Sequence, residues 1–88
     1  MPVKLSTPIA RLMDRSGLKS SALARFLGVT PNHLAQVRMG LYGLSRKRIR
    51  LLAHILRVEE LVVKMAIEAT KQIYSQRQQQ ETHDEDDQ

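Results

Sequence analysis

The chain reads as an all-α protein of five helices, and three observations predict it. Apolar residues recur at three- and four-residue spacing, as in Leu23, Ala24 and Leu27 or Ile49, Leu52, Ala53 and Leu56, which lines them up on one face of a helix. Such stretches are bounded by residues that start or stop helices, with Thr7-Pro8, Thr30-Pro31 and Ser45 before them and Gly17 and Gly28 after them. With 88 residues, the chain has room for one small domain whose core supplies limited stability, so oligomerisation is expected to add to it.

The elements follow in order. Thr7 caps and Pro8 opens the first helix, where Leu5, Ile9, Leu12 and Met13 form an inward stripe that Gly17 ends. Ser20 or Ser21 is expected to cap the second, with Leu23, Ala24 and Leu27 inward, Arg25 outward, and the single phenylalanine, Phe26, in the core or at its edge. Gly28 stands where a chain leaving a helix needs positive φ, and Val29 can plug the corner. Thr30 then caps a third helix and Pro31 fills its first turn, where a missing N–H costs nothing. After Gly40, the loop Leu41-Tyr42-Gly43-Leu44 leads to Ser45, the cap of a fourth helix. Glu59 and Glu60 open a fifth, acids being favoured at the positive end of the helix dipole.

Two short helices across a three-to-four-residue corner form the helix-turn-helix motif, whose second member lies in the major groove of DNA. In the third helix Leu34 and Val37 fall on one side, and Asn32, Ala35, Gln36 and Met39 cluster on the other. Carboxamides can bond bidentately to adenine and small apolar groups can meet a thymine methyl, so the outer side has the chemistry to read base edges.

The charge distribution points the same way. Net charge is +5, yet five of the nine acids, Glu81, Asp84, Glu85, Asp86 and Asp87, sit in the last eight positions. Residues 1–80 hold all 14 Lys and Arg against Asp14, Glu59, Glu60 and Glu68 alone, a surplus expected of a polyanion binder. Arg46, Lys47, Arg48 and Arg50 crowd the start of the fourth helix, where the dipole disfavours cations, and a nearby phosphate would reverse the sign of that interaction.

Beyond residue 58 the chain divides into a C-terminal helix, 59–76, and an acidic Gln-rich tail, 77–88, with too little apolar surface to fold and therefore expected to be disordered. Apolar residues of that helix spread over roughly 200° of arc, which implies two partners. Leu61, Val62 and Met65 are expected to dock on residues 1–58, and Ala66, Ile67, Ile73 and Tyr74 to meet a second subunit.

From about Leu5 to Val62 the chain resembles the lambda-repressor-like, or Cro/Xre-type, helix-turn-helix family. The resemblance rests on Gly17, Leu18, Leu23, Ala24, Leu27, Gly28, Val29, Thr30, Leu34, Val37 and Gly40. It implies a five-helix domain that binds an inverted-repeat operator in double-stranded DNA as a homodimer, regulates transcription as a repressor, and comes from a phage or plasmid. By that resemblance Pro31, Asn32 and Gln36 are the base contacts, and His33, Arg38 and Met39 flank them. Lys19, Ser20, Arg46, Lys47 and Arg50 are the expected phosphate contacts. The chain departs from the family pattern at Ser20, where a Gln is common, at Pro31, which offers no side-chain hydrogen bond where the base contact is commonly polar, at Arg38, where many relatives carry an acid, and at Arg57, which replaces a frequent glycine.

Other classes find less support. His33, His54 and His83 have no second ligand at helical spacing, so neither a metal, a cofactor nor catalysis is expected. Asp14 beside Arg15, and Glu68 with Lys64 and Lys71, read as surface charge pairs. With no cysteine, no cleavable leader and no long apolar run, the expectation is a soluble cytoplasmic protein associated with the bacterial nucleoid, with no membrane and no small-molecule ligand. The competing class is a protein-interaction module, such as an antitoxin or anti-regulator, that uses the C-terminal helix and the acidic tail.

Overall fold

A computed structural model describes the backbone of residues 6–86 and the side chains of residues 6–78. It is all-helical, with α1 Pro8–Asp14, α2 Ser20–Leu27, α3 Pro31–Met39, α4 Arg46–Leu56 and α5 Glu60–Asp86. Leu5, expected in the first stripe, lies outside the described residues, as do Asp87 and Gln88.

Most helix ends are where local chemistry puts them. The hydroxyls of Thr7, Thr30 and Ser45 accept from the backbone N–H of Ala10, His33 and Arg48 at 3.2, 3.0 and 3.3 Å. Gly28 and Gly40 take left-handed φ values of 73° and 100°, and in each case the next residue donates back to a carbonyl five positions earlier. The start of α2 differs. Its N-cap is Lys19, extended at φ −69° and ψ 149° and with no side-chain hydrogen bond, and Ser20 is already helical.

The core joins all five helices through Ile9, Leu12, Met13, Leu23, Leu27, Leu34, Val37, Leu52, Val63 and Ile67. α5 is the spine, packed on α1, α3 and α4, while α2 packs on α3 and α4. Phe26 stays outside, 57% exposed, since it lies about 100° round α2 from the centre of the stripe formed by Leu23, Ala24 and Leu27.

Two features fix α5 to the rest. Thr70 is fully buried, and its hydroxyl accepts from the Ile9 N–H at 3.1 Å while donating to the Ala66 carbonyl at 2.7 Å. One of the unpaired donors at the start of α1 is thereby satisfied from 61 residues away. At Gly40 the end of α3 meets the α5 backbone so closely that a Cβ there would stand 2.5 Å from the Thr70 carbonyl oxygen and 2.9 Å from Tyr74 Cβ.

The faces of α5 are the reverse of those the pattern suggested. Val63, Ile67 and Thr70 are buried against the other helices, with Ala66, Ile73 and Tyr74 partly covered, whereas Leu61, Val62 and Met65 face outward. Ile67 is therefore core rather than a subunit contact. Nor does α5 end near Gln76. The chain has no proline after Pro31 and no glycine after Gly43, and the Gln, Arg and Glu that follow are good helix formers, so the backbone stays helical through Asp86 instead of turning into a disordered tail.

Candidate nucleic-acid interface

α3 is positioned from both ends. Pro31 sets φ at its first turn, the Thr30 cap closes the N-terminus, and the glycine contact with α5 fixes the C-terminus. Leu34 and Val37 are buried, which leaves Pro31, Asn32, Ala35 and Met39 exposed on the opposite side and Gln36 half-buried at its edge. The three expected base-contacting residues, Pro31, Asn32 and Gln36, thus share one outward face with Ala35 and Met39.

The flanks of that face are occupied by intramolecular contacts. On one side Arg38 donates to the Asp14 carboxylate at 2.9 Å, lies 3.9 Å from Met13 Sδ, and its carbonyl accepts from the Thr7 hydroxyl. Arg38 is thus tied to α1, and Asp14 pairs with it rather than with Arg15. On the other side His33 stacks on Tyr42, ring centroids 5.6 Å apart and 14° from parallel. Tyr42 did not figure among the expected contacts, because it lies in the loop after α3 and only the fold brings it beside the face. Its half-exposed ring extends the α3 surface by one side chain.

The expected phosphate set is divided. Ser20 lines a shallow cleft of about 260 Å³ with Pro31, Ala35 and Met39, so the start of α2 borders the α3 face. Lys19 precedes it and is exposed. Two cations of α4, Arg48 and Arg50, have partners within the chain. Arg48 donates to the carbonyls of Leu27 and Gly28 at 3.0 and 3.4 Å, where a cation is favoured by the negative end of the α2 dipole. Arg50 Nε lies 3.6 Å from Glu60. Arg46 lines a groove of about 580 Å³ with Glu60 and Lys64 of α5. Two of the four cations at the start of α4 therefore meet carboxylate or carbonyl oxygens of the chain itself, which accounts for part of their placement without an external anion. Lys47 is exposed.

Among the described residues no cluster of His, Asp or Glu could hold a metal ion, and no helix is long and apolar enough to cross a membrane. His54 is exposed on α4. Comparison of the chain with protein-family models, with curated proteins and with solved structures finds no match.

Proposed function

We propose that the protein is a sequence-specific double-stranded DNA-binding regulator of transcription, a repressor that acts by occupying its site. In this reading α2 and α3 form a helix-turn-helix and α3 enters the major groove. The observation that carries it is the outward face of α3, where Asn32, Ala35 and Met39 stand exposed beside Gln36 on a helix anchored at both ends. Its side chains can meet adenine edges and thymine methyls. The surplus of ten cations over residues 1–80 supplies the non-specific attraction to phosphate, so affinity falls steeply with added salt.

One short helix spans too few base pairs to specify a site, so two copies act together on an inverted repeat, with reading helices roughly 34 Å apart. Lys19, Ser20, Arg46, Lys47 and Arg50 border or follow the reading helix and are the phosphate contacts, whereas Arg38 and Arg48 serve the fold first. Residues Pro31, Asn32 and Gln36 set the sequence preference.

Selection of bound duplexes from a random library tests this reading. An enriched inverted repeat is the expected result, and no enrichment over random duplex overturns it. On the enriched site, Gln36→Ala or Asn32→Ala relaxes preference at particular base pairs and costs about 1–3 kcal/mol, whereas Lys47→Ala weakens matched and mismatched sites alike. Identical behaviour of the two kinds of variant would remove the assigned roles.

A further inference from the structure

Of the four glycines, Gly17, Gly28 and Gly40 hold left-handed backbone, and Gly43 does not. A Cβ built on Gly43 would meet only ordinary contacts, the nearest 3.5 Å away at Lys71 Nζ and 3.7 Å away at Ile67 Cγ2. Neither its φ nor its packing demands a glycine, and what the missing side chain leaves open is the floor of the groove of about 580 Å³ between α4 and α5. We propose that this groove is a binding site for a small amphipathic anion, a fatty-acid-like carboxylate, and that the bound ligand draws Arg46 away from DNA. The second half rests on the function proposed above.

The groove joins an apolar lining to a rim of cations. Ile67 is buried, Leu44 and Ile49 are half-buried and Leu61 is 60% exposed, so hydrocarbon lies along its length. Arg46, Lys64 and Lys71 are exposed around it, and none has an ion pair or hydrogen bond among the described residues. Of the two acids on the rim, Glu60 lies 3.6 Å from Arg50, which leaves Glu68 to offset three cations. Apolar lining under surplus positive charge selects a ligand that is apolar along its body and anionic at one end. A cationic head would meet like charge, and a purely polar molecule would forfeit the apolar contact.

The dimensions suit a small molecule. Such sites enclose roughly 300–1,000 Å³, a range that includes this groove. The α5 residues that line it, from Glu60 to Lys71, span about 17 Å, room for an extended acyl chain of medium length. Arg46 is the first residue of α4, just beyond the reading helix, and it also lines the groove. A carboxylate that engages it competes with a DNA phosphate for the same guanidinium, and the antagonism is reciprocal. The sequence suggested no small-molecule ligand because the groove is assembled from a loop and two helices that only the fold brings together.

Calorimetric titration of the full chain with octanoate, below the concentration at which it forms micelles, tests the site. Acetate, octanamide and octylammonium serve as head-only, neutral and cationic counterparts. Octanoate is expected to bind saturably and about tenfold more tightly than octanamide, with no binding of acetate or octylammonium. Gly43→Leu fills the floor and should abolish binding, Lys64→Gln should weaken it about fivefold, and Lys64→Arg should retain it. Met65→Ser, on the outer side of α5 and away from the groove, should leave it unchanged. Circular dichroism verifies folding, and the two Lys64 variants carry the test if Gly43→Leu does not fold. Absence of saturable octanoate binding overturns the site, as does octanamide binding equally well. A loss in Met65→Ser that exceeds the loss in Lys64→Gln overturns it too, since the ligand would then lie on the outer stripe. Gel retardation of the selected duplex, with and without saturating octanoate, tests the antagonism. Octanoate should lower duplex affinity where acetate at the same concentration does not. Unchanged retardation by a protein that binds octanoate overturns the competition for Arg46. Octanoate binding by a protein that retards no duplex supports the site and places the failure in the DNA reading instead.

Discussion

α3 and α5 are held by different kinds of information, and each shows what the other lacks. α3 is nine residues long and closed by local signals at both ends, a capping threonine before it, a proline at its first position and a left-handed glycine after it. α5 is three times as long, and its described part has no glycine or proline to mark where it should stop or which way it should face. Its orientation is decided by what it packs against. A helix fixed by its ends is legible one residue at a time, whereas a helix fixed by its side is legible only once its partners are known.

Gly40 is where the two meet, so substitution there is the largest expected perturbation. Alanine would have to accept a φ of 100° and place its Cβ 2.5 Å from a backbone oxygen of α5. Backbone strain and overpacking together give a loss of about 3–5 kcal/mol. Gly28→Ala makes the control, since φ is 73° but nothing lies within 4 Å of the added carbon, and strain alone costs about 1 kcal/mol. Urea denaturation of both variants measures the gap, and equal losses would mean that α3 is not seated on α5.

Next in size is a contrast between the two sides of α5. Ile67→Ala removes a side chain that is 3% exposed and should cost about 2–5 kcal/mol, whereas Met65→Ala removes one that is 62% exposed and should leave the unfolding midpoint of the monomer nearly unchanged. The sequence pattern suggested the opposite ranking. A large Met65 effect with a small Ile67 effect would restore it.

That reversal shows where sequence reasoning stopped. Thr7, Gly28, Thr30 and Ser45 close helix ends by acting on neighbours within a few positions, and those roles are readable in chain order, whereas the seat of Gly40 on α5 is not. The stripe of α5 was ambiguous because apolar residues cover more than one face and periodicity carries no sign for inward. The same limit applies at the candidate interface. The outward set of Asn32, Ala35, Gln36 and Met39 follows from helical spacing alone. The ties of Arg38 to Asp14, Arg48 to the end of α2 and His33 to Tyr42 could not be read, because each joins separate elements. Basic residues looked alike in the sequence, and only their partners distinguish those that hold the fold from those left facing solvent. Phe26 is apolar in type but lies off the buried stripe of α2, and its position on the helix outweighs its type.

Thr70 gives a smaller effect that isolates one polar contact between α5 and α1. Thr70→Val keeps the shape but leaves the Ile9 N–H without its acceptor in a buried position, which should cost about 1–3 kcal/mol. Thr70→Ser keeps the hydroxyl and should recover most of that loss. Faster hydrogen exchange at the Ile9 amide in the valine variant alone would identify the bond as the cause.

The smallest expected effect concerns the joint that aims α5. Three helices end in the same way, with a left-handed residue and a backbone donor reaching back over the last turn, but α4 uses Arg57 at φ 58° where α2 and α3 use glycine. A side chain pays a conformational cost there that glycine does not, partly offset by the greater freedom of glycine in the unfolded chain. Arg57→Gly should therefore raise stability by about 0.5–1 kcal/mol. Arg57→Ala separates the backbone from the charge, since it keeps the strain and removes the guanidinium. If duplex affinity drops in both variants while only the glycine variant gains stability, the arginine is kept at this joint for its charge. A glycine variant that is no more stable than the parent would mean that the left-handed cap is relaxed in the native protein, and that the exit angle of α5 comes from its packing alone.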